Sequence, residues 1–114
     1  MMPFLSRMTS SGPDLYYSPG FMNEIEAHLS YLRTSSETRT AVVPLEKAII
    51  YSGDFYGYCR EAKIESQYHW TIMRVSFMRS PADFGVQTKE ILVPSVREVN
   101  RILTNYRTSL SNRI

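Results

Sequence analysis

The side chains able to act as nucleophiles or metal ligands are few: one cysteine, Cys59, and two histidines, His28 and His69. A structural zinc site needs four Cys or His ligands in closely spaced pairs, whereas these three stand 31 and 10 residues apart. No metal and no other cofactor is expected. A Cys59–His69 nucleophile and base would need an acidic orienting partner and a setting that favours the thiolate. Cys59 instead falls on an apolar helical stripe, where a thiol behaves as a small hydrophobe. Glu61 and Glu65 sit between Arg60, Lys63 and solvent, and they read as a solvated helix edge rather than an acid–base pair. The five glycines are scattered and none precedes a Lys-Ser/Thr pair, so no phosphate loop is present. Arg97, Arg101 and Arg107 are the only basic concentration, interrupted by Glu98 and with only Tyr106 to stack a base. These residues predict a protein that is not an enzyme and that does not bind nucleic acid.

At 114 residues, with 43% apolar and 21% charged side chains, the chain has the composition of a globular domain and not of a disordered segment. A single cysteine excludes a disulfide scaffold, and no run approaches the roughly 20 apolar residues of a membrane helix. The net charge of +2 is a local excess in residues 95–114 set against a neutral centre. The unusual number is eight tyrosines, a residue type that interfaces favour.

Residues 1–22 contain Pro3, Pro13 and Pro19 among Ser, Thr and Gly and read as an extended arm. Phe4, Leu5, Tyr16, Tyr17 and Phe21 give that arm apolar anchors, to be seated either on the protein's own core or on a partner. Asn23 is the expected N-cap of a helix over about 23–33, followed by a linker to residue 40. Ala41–Val43, broken by Pro44, is at most an edge strand, and Ala48–Tyr51 is the better one. Asp54 caps a helix whose stripe is Phe55, Tyr58, Cys59 and Ala62. A second helix over about 67–78 places Trp70, Met73 and Phe77 on one line and is stopped by Pro81. After a turn anchored by Phe84 comes a strand at 90–93, carrying Ile91 and Val93. Ser95 and Glu98 form a Ser-x-x-Glu capping box for a last helix with the face Val99, Leu103, Tyr106 and Leu110. The expected core of the module is Phe55, Tyr58, Cys59, Trp70, Met73, Phe77, Ile91 and Val93.

Ser52-Gly53-Asp54, then Tyr68-His69-Trp70 with Ile72 and Ser76, the Pro81–Gly85 turn and Ile91–Ser95 together resemble the LysM-like module of baseplate wedge and tail proteins of contractile-tailed phages. The resemblance spans about residues 45–96. Ser76 stands where that family has Asn, and Phe55 stands where sugar-binding LysM domains often have Thr. The resemblance implies an α+β fold: a βααβ module at 41–94, preceded by the arm (1–22) and by a helix and linker (23–40), and followed by a C-terminal helix and tail (95–114). It implies a structural role in a phage baseplate, inside a virion assembled from chains made in the host cytoplasm. The implied partners are wedge, hub or sheath-proximal subunits, with several copies in a symmetric assembly and no membrane. The interface is expected at Phe4, Leu5, Tyr16, Tyr17 and Phe21 and at Val99, Leu103, Tyr106 and Leu110. The alternative is a LysM-type binder of peptidoglycan or chitin, with Ser52, Gly53, Asp54, Ser80 and Asp83 lining a sugar groove.

Overall fold

In a computed structural model, which describes residues 15–112, the first helix begins ahead of Asn23. Ser18 accepts a hydrogen bond from the Phe21 N–H and Pro19 occupies the first helical position, so α1 runs Pro19–Ala27. His28 interrupts the helical dihedrals, and α2 follows at Leu29–Thr34. Residues Leu15–Tyr17 form a 3-10 turn. The described part of the expected extended arm is therefore a 3-10 turn and the start of α1, with only Ser18 extended between them, while Phe4 and Leu5 lie outside the described residues.

The sheet consists of β1 (Arg39–Val42) and β2 (Glu90–Val93), antiparallel, with Ala41 opposite Ile91. The expected strand at Ala48–Tyr51 is instead part of a helix, α3 (Leu45–Ile50). Pro44 supplies an extended residue at its entry, and Leu45-Glu46-Lys47-Ala48 are all strong helix formers. The β-branched pair Ile49-Ile50 is outvoted, because β2 is already paired with residues 39–42. Three helices rather than two thus lie between the strands: α3, α4 (Phe55–Glu61) and α5 (His69–Val75). The last element is α6 (Val96–Asn112). The architecture is α+β.

Helices α4 and α5 stop in the same way, and neither stop uses glycine. Lys63 (φ 63°) and Phe77 (φ 72°) take the left-handed conformation just past each helix. Around α4 the Ile64 N–H bonds the Cys59 carbonyl and the Lys63 N–H bonds the Arg60 carbonyl. Around α5 Met78 and Phe77 do the same to Met73 and Arg74. This is the Schellman arrangement, normally built on Gly because a Cβ is penalised there. It ends α5 at Val75, ahead of the expected 78, and turns the Phe77 side chain out of the core to 69% exposure. Phe77 is accordingly not a core residue. Trp70 and Val93 are half-buried and pack on the edge of the core, whereas Phe55, Tyr58, Cys59, Met73 and Ile91 are buried as expected.

One apolar cluster runs from Tyr16 to Leu103. Phe21, Ile25 and Leu32 are fully buried in it, alongside Phe55, Phe84 and Val99. Tyr16, Phe21, Val99 and Leu103, expected at an interface, are seated here instead, since α1 lies against α6. The approach is close enough that a side chain on Gly20 would run into the Tyr106 phenol. Tyr17 and Tyr106 are half-buried against the same cluster, and Leu110 is exposed. The Tyr16 hydroxyl donates to Asn100 Oδ1 at 2.6 Å, and burial pushes its pKa up to about 12.

Glu98 ties the N-terminal helices to α6. Its N–H bonds Ser95 Oγ at 3.0 Å, the expected half of a capping box. Its carboxylate does not return to Ser95. It accepts hydrogen bonds from Ser35 Oγ at 2.6 Å and from the Tyr31 hydroxyl, while Ser95 Oγ donates to Glu37 at 2.9 Å. The Ser35 and Tyr31 hydrogen bonds hold the Glu98 carboxyl below the usual carboxylate range. A depressed folded-state pKa adds stability that is fully present above the unfolded pKa of about 4.3 and is lost as the pH falls below it. Glu98→Gln is therefore expected to lower the urea midpoint at pH 6, with a gap to the wild type that narrows as the pH falls below about 4. A gap that persists unchanged at pH 3 would contradict this assignment.

Candidate functional site

Phe77 is the most unusual residue on the surface. A bulky side chain at positive φ is a sterically strained outlier, and such strain collects at functional positions. Its ring rests on the Arg33 guanidinium, 3.9 Å from the centroid. Arg33 is itself fixed by the last carbonyls of α5, with Nε donating to Val75 O at 3.1 Å and Nη2 to Arg74 O at 2.8 Å. A cation at a helix C-terminus suits the dipole. Arg74 completes the scaffold with a two-pronged pair to Glu26 of α1, at 2.5 and 2.9 Å, and a bond to Met78 O. Phe77 also borders an open cleft of about 700 Å³ between the 76–78 turn, Asp83 and the approach to β2 at Gln87, Lys89 and Glu90.

Ser76, beside Phe77, closes the outer edge of β2. Val43 N–H bonds Lys89 O, so Thr40 and Leu92 form a pair whose amide groups point away from each other. Ser76 Oγ accepts from Leu92 N–H at 2.8 Å and donates to Leu92 O at 3.3 Å. One hydroxyl thereby satisfies both outward groups and joins α5 to the sheet.

A second outward surface lies where β1 passes into α3. Val42 is 75% exposed, and α3 turns only Ala48 inward. Leu45, Ile49 and Ile50 are 58%, 57% and 65% exposed, with Glu46 between them on the same arc of the helix. Two β-branched residues in a six-residue helix lower its intrinsic stability and stay more than half exposed there. The sequence reading missed this face by treating Ile49-Ile50 as a strand. The signal available was Pro44 followed by four strong helix formers.

Cys59, His69 and Glu61 have structural surroundings. Cys59 is fully buried, and burial pushes its thiol up to about 12. His69 is buried, with Nε2 2.7 Å from the Ile64 carbonyl. Glu61 pairs with Lys47 at 3.0 Å and with the Tyr51 hydroxyl, not with Glu65. Among the described residues no group of three His, Cys, Asp or Glu side chains is placed to hold a metal ion. Arg97 bonds Glu37, and Arg101 lies 3.8 Å from Glu98.

The loops assigned to a sugar groove do meet, through Gly53 N–H to Phe84 O at 2.7 Å. Their polar groups serve the local backbone. Asp54 accepts from Gly57 N–H at 2.9 Å, Ser80 Oγ from Ala82 N–H, and Asp83 from the Arg79 and Ser80 N–H groups. Ser52 and Gly53 are exposed.

No family model, curated protein or solved structure matches the chain.

If Phe77 is held at positive φ for what its ring presents, glycine should suit the fold at least as well. Phe77→Gly relieves the left-handed strain and loses the contact with Arg33, each about 1 kcal/mol. The expected urea stability is within about 1 kcal/mol of wild type. A loss of more than about 2 kcal/mol would make the ring a structural element instead.

Proposed function

We propose that this chain is a non-enzymatic structural component of a phage contractile-tail baseplate, holding wedge or hub subunits together. The observation that carries the reading is the outward set Val42 at the end of β1 and Leu45, Ile49 and Ile50 on the short helix that follows, apolar side chains each more than half exposed in the isolated chain. Such a face is what an assembly interface needs at its centre. The second support is the resemblance of residues 45–96 to LysM-like baseplate modules. Two antiparallel strands bracketing packed helices, with Ser76 bridging to β2 where that family has Asn, are compatible with such a module. The three intervening helices depart from the βααβ order.

The interface in this reading moves away from Tyr16, Phe21, Val99 and Leu103, which the chain's own core consumes, to α3 and the β1 edge beside it. Extended segments of a neighbour would add to β1, since the amide groups of Thr40 and Val42 face outward with no hydrogen bond among the described residues. The peptidoglycan- or chitin-binding alternative has less support, because Asp54, Ser80 and Asp83 already cap their own loops.

The test is incorporation into particles. Mass spectrometry of purified virions is expected to detect the chain. Ile49→Lys with Ile50→Glu, both good helix formers on an exposed face, is expected to fold with stability within about 0.5 kcal/mol of wild type and to be lost from particles. Virions lacking the wild-type chain, or particles that incorporate the double variant normally, would overturn the reading.

A further inference from the structure

The outer edge of β1 is open, and its hydrogen-bonding groups form a symmetric set. Arg39, Ala41 and Val43 turn their amides toward β2. The N–H and C=O groups of Thr40 and Val42 therefore point outward, with no hydrogen bond among the described residues. This free edge ends on either side for chemical reasons. The Thr38 N–H is taken by the Ser35 carbonyl at 3.1 Å, and Pro44 has no N–H to give. Two bonding residues remain, one on each side of Ala41.

The opposite edge of the sheet is closed. Ser76 Oγ holds both outward groups of Leu92, and α5 packs against β2. A head-to-tail stack, in which β1 of one copy meets β2 of the next, is blocked there. With one open edge per chain, identical chains can join only by setting β1 against β1. An antiparallel pair about a two-fold axis closes after two copies and leaves no edge for a third.

We propose that a second copy of this chain docks antiparallel on β1, with the two-fold axis at Ala41, to make a four-stranded sheet. This names the occupant of the edge in the reading above, and it rests on that edge and not on the phage assignment. Thr40 of each copy exchanges both backbone hydrogen bonds with Val42 of the other. Ala41 faces Ala41 of the second copy at the closely spaced position, where Cα atoms stand about 4.5 Å apart, and alanine is the smallest side chain of the strand. Shifting the axis by one residue loses bonds. Centred on Thr40 the pair needs the occupied Thr38 N–H, and centred on Val42 it needs an N–H from Pro44. No like charges stand directly opposite each other: Arg39 lies across from Val43. Val42, 75% exposed in the single chain, gains a β-branched neighbour in Thr40 of the second copy. So short an edge makes a small contact, and the dimer is weak, with a Kd on the order of 0.1 mM.

The full chain is followed by sedimentation velocity from about 10 μM to about 1 mM, with amide exchange of Thr40 and Val42 read at both ends of that range. The sedimentation coefficient is expected to rise toward that of a dimer and no further, and the two amides to exchange about fourfold more slowly at the higher concentration. Thr40→Lys with Val42→Lys sets cations opposite each other across the two-fold and is expected to stay monomeric. Thr40→Glu with Val42→Lys sets opposite charges there, places the new lysine beside Glu90 of its own sheet, and is expected to dimerise at least as tightly as wild type. A wild-type chain that stays monomeric at about 1 mM overturns the proposal whatever the variants do. So does association that grows past a dimer, persists in the double-lysine variant, or is lost from the oppositely charged variant while that variant melts like wild type. Association abolished by Ile49→Lys with Ile50→Glu would place the contact on α3 and overturn it as well. None of these readouts involves virions, so particles lacking the chain would remove the baseplate reading and leave the dimer standing.

Discussion

A two-stranded sheet with four residues in each strand cannot hold itself together in water, and everything else in this fold follows from covering it. Ile91 is the only residue of the two strands that is buried. Helix α5 packs directly on β2, and the apolar cluster behind it is completed from both ends of the chain. α1 and α2 deliver Phe21, Ile25, Leu29 and Leu32, α6 delivers Val99, Ile102 and Leu103, and α4 and α5 fill the space between. Polar ties are added where elements meet: Arg33 and Arg74 fasten the end of α5 to α2 and α1, Ser76 fastens it to β2, and Glu98 fastens α6 to α2. The N-terminal helices are thus part of what makes the sheet possible.

That constraint explains how much was legible in the sequence. Helix α4 and the inner face of α6 were readable because their apolar stripes recur at three and four residues, and each stripe is buried as its spacing predicts through Phe55, Tyr58 and Cys59, and through Val99 and Leu103. β2 was readable because Glu90–Val93 is a short β-prone run closed by Pro94. β1 was not. Arg39–Val42 has exposed Arg39, Thr40 and Val42 and is a strand only because β2 pairs with it, a contact across some fifty residues that local propensity does not record. Ile49 and Ile50 misled in the opposite sense, since their β preference carried no information about the strand already occupying β2.

The surface was harder to read than the core for a related reason. Spacing places Phe77 on the line of Trp70 and Met73, but the Schellman turn uncoils α5 before the ring reaches the core. Nothing local announces that turn without a glycine at its left-handed position. The aromatic residues near the N-terminus behaved conversely: proline-rich surroundings suggested an arm, whereas Pro19 opens α1 and Tyr16 and Phe21 are drawn into the core.

The central claim is that the N-terminal helices and the sheet form one cooperative unit. Native-state hydrogen exchange on the full chain tests it most directly. The account predicts that the slowest amides of α1 and α2 open with the same free energy as those of α5 and β2, at the global unfolding value. Amides of residues 19–34 that exchange through a separate, much cheaper opening while α5 and β2 stay protected would contradict it.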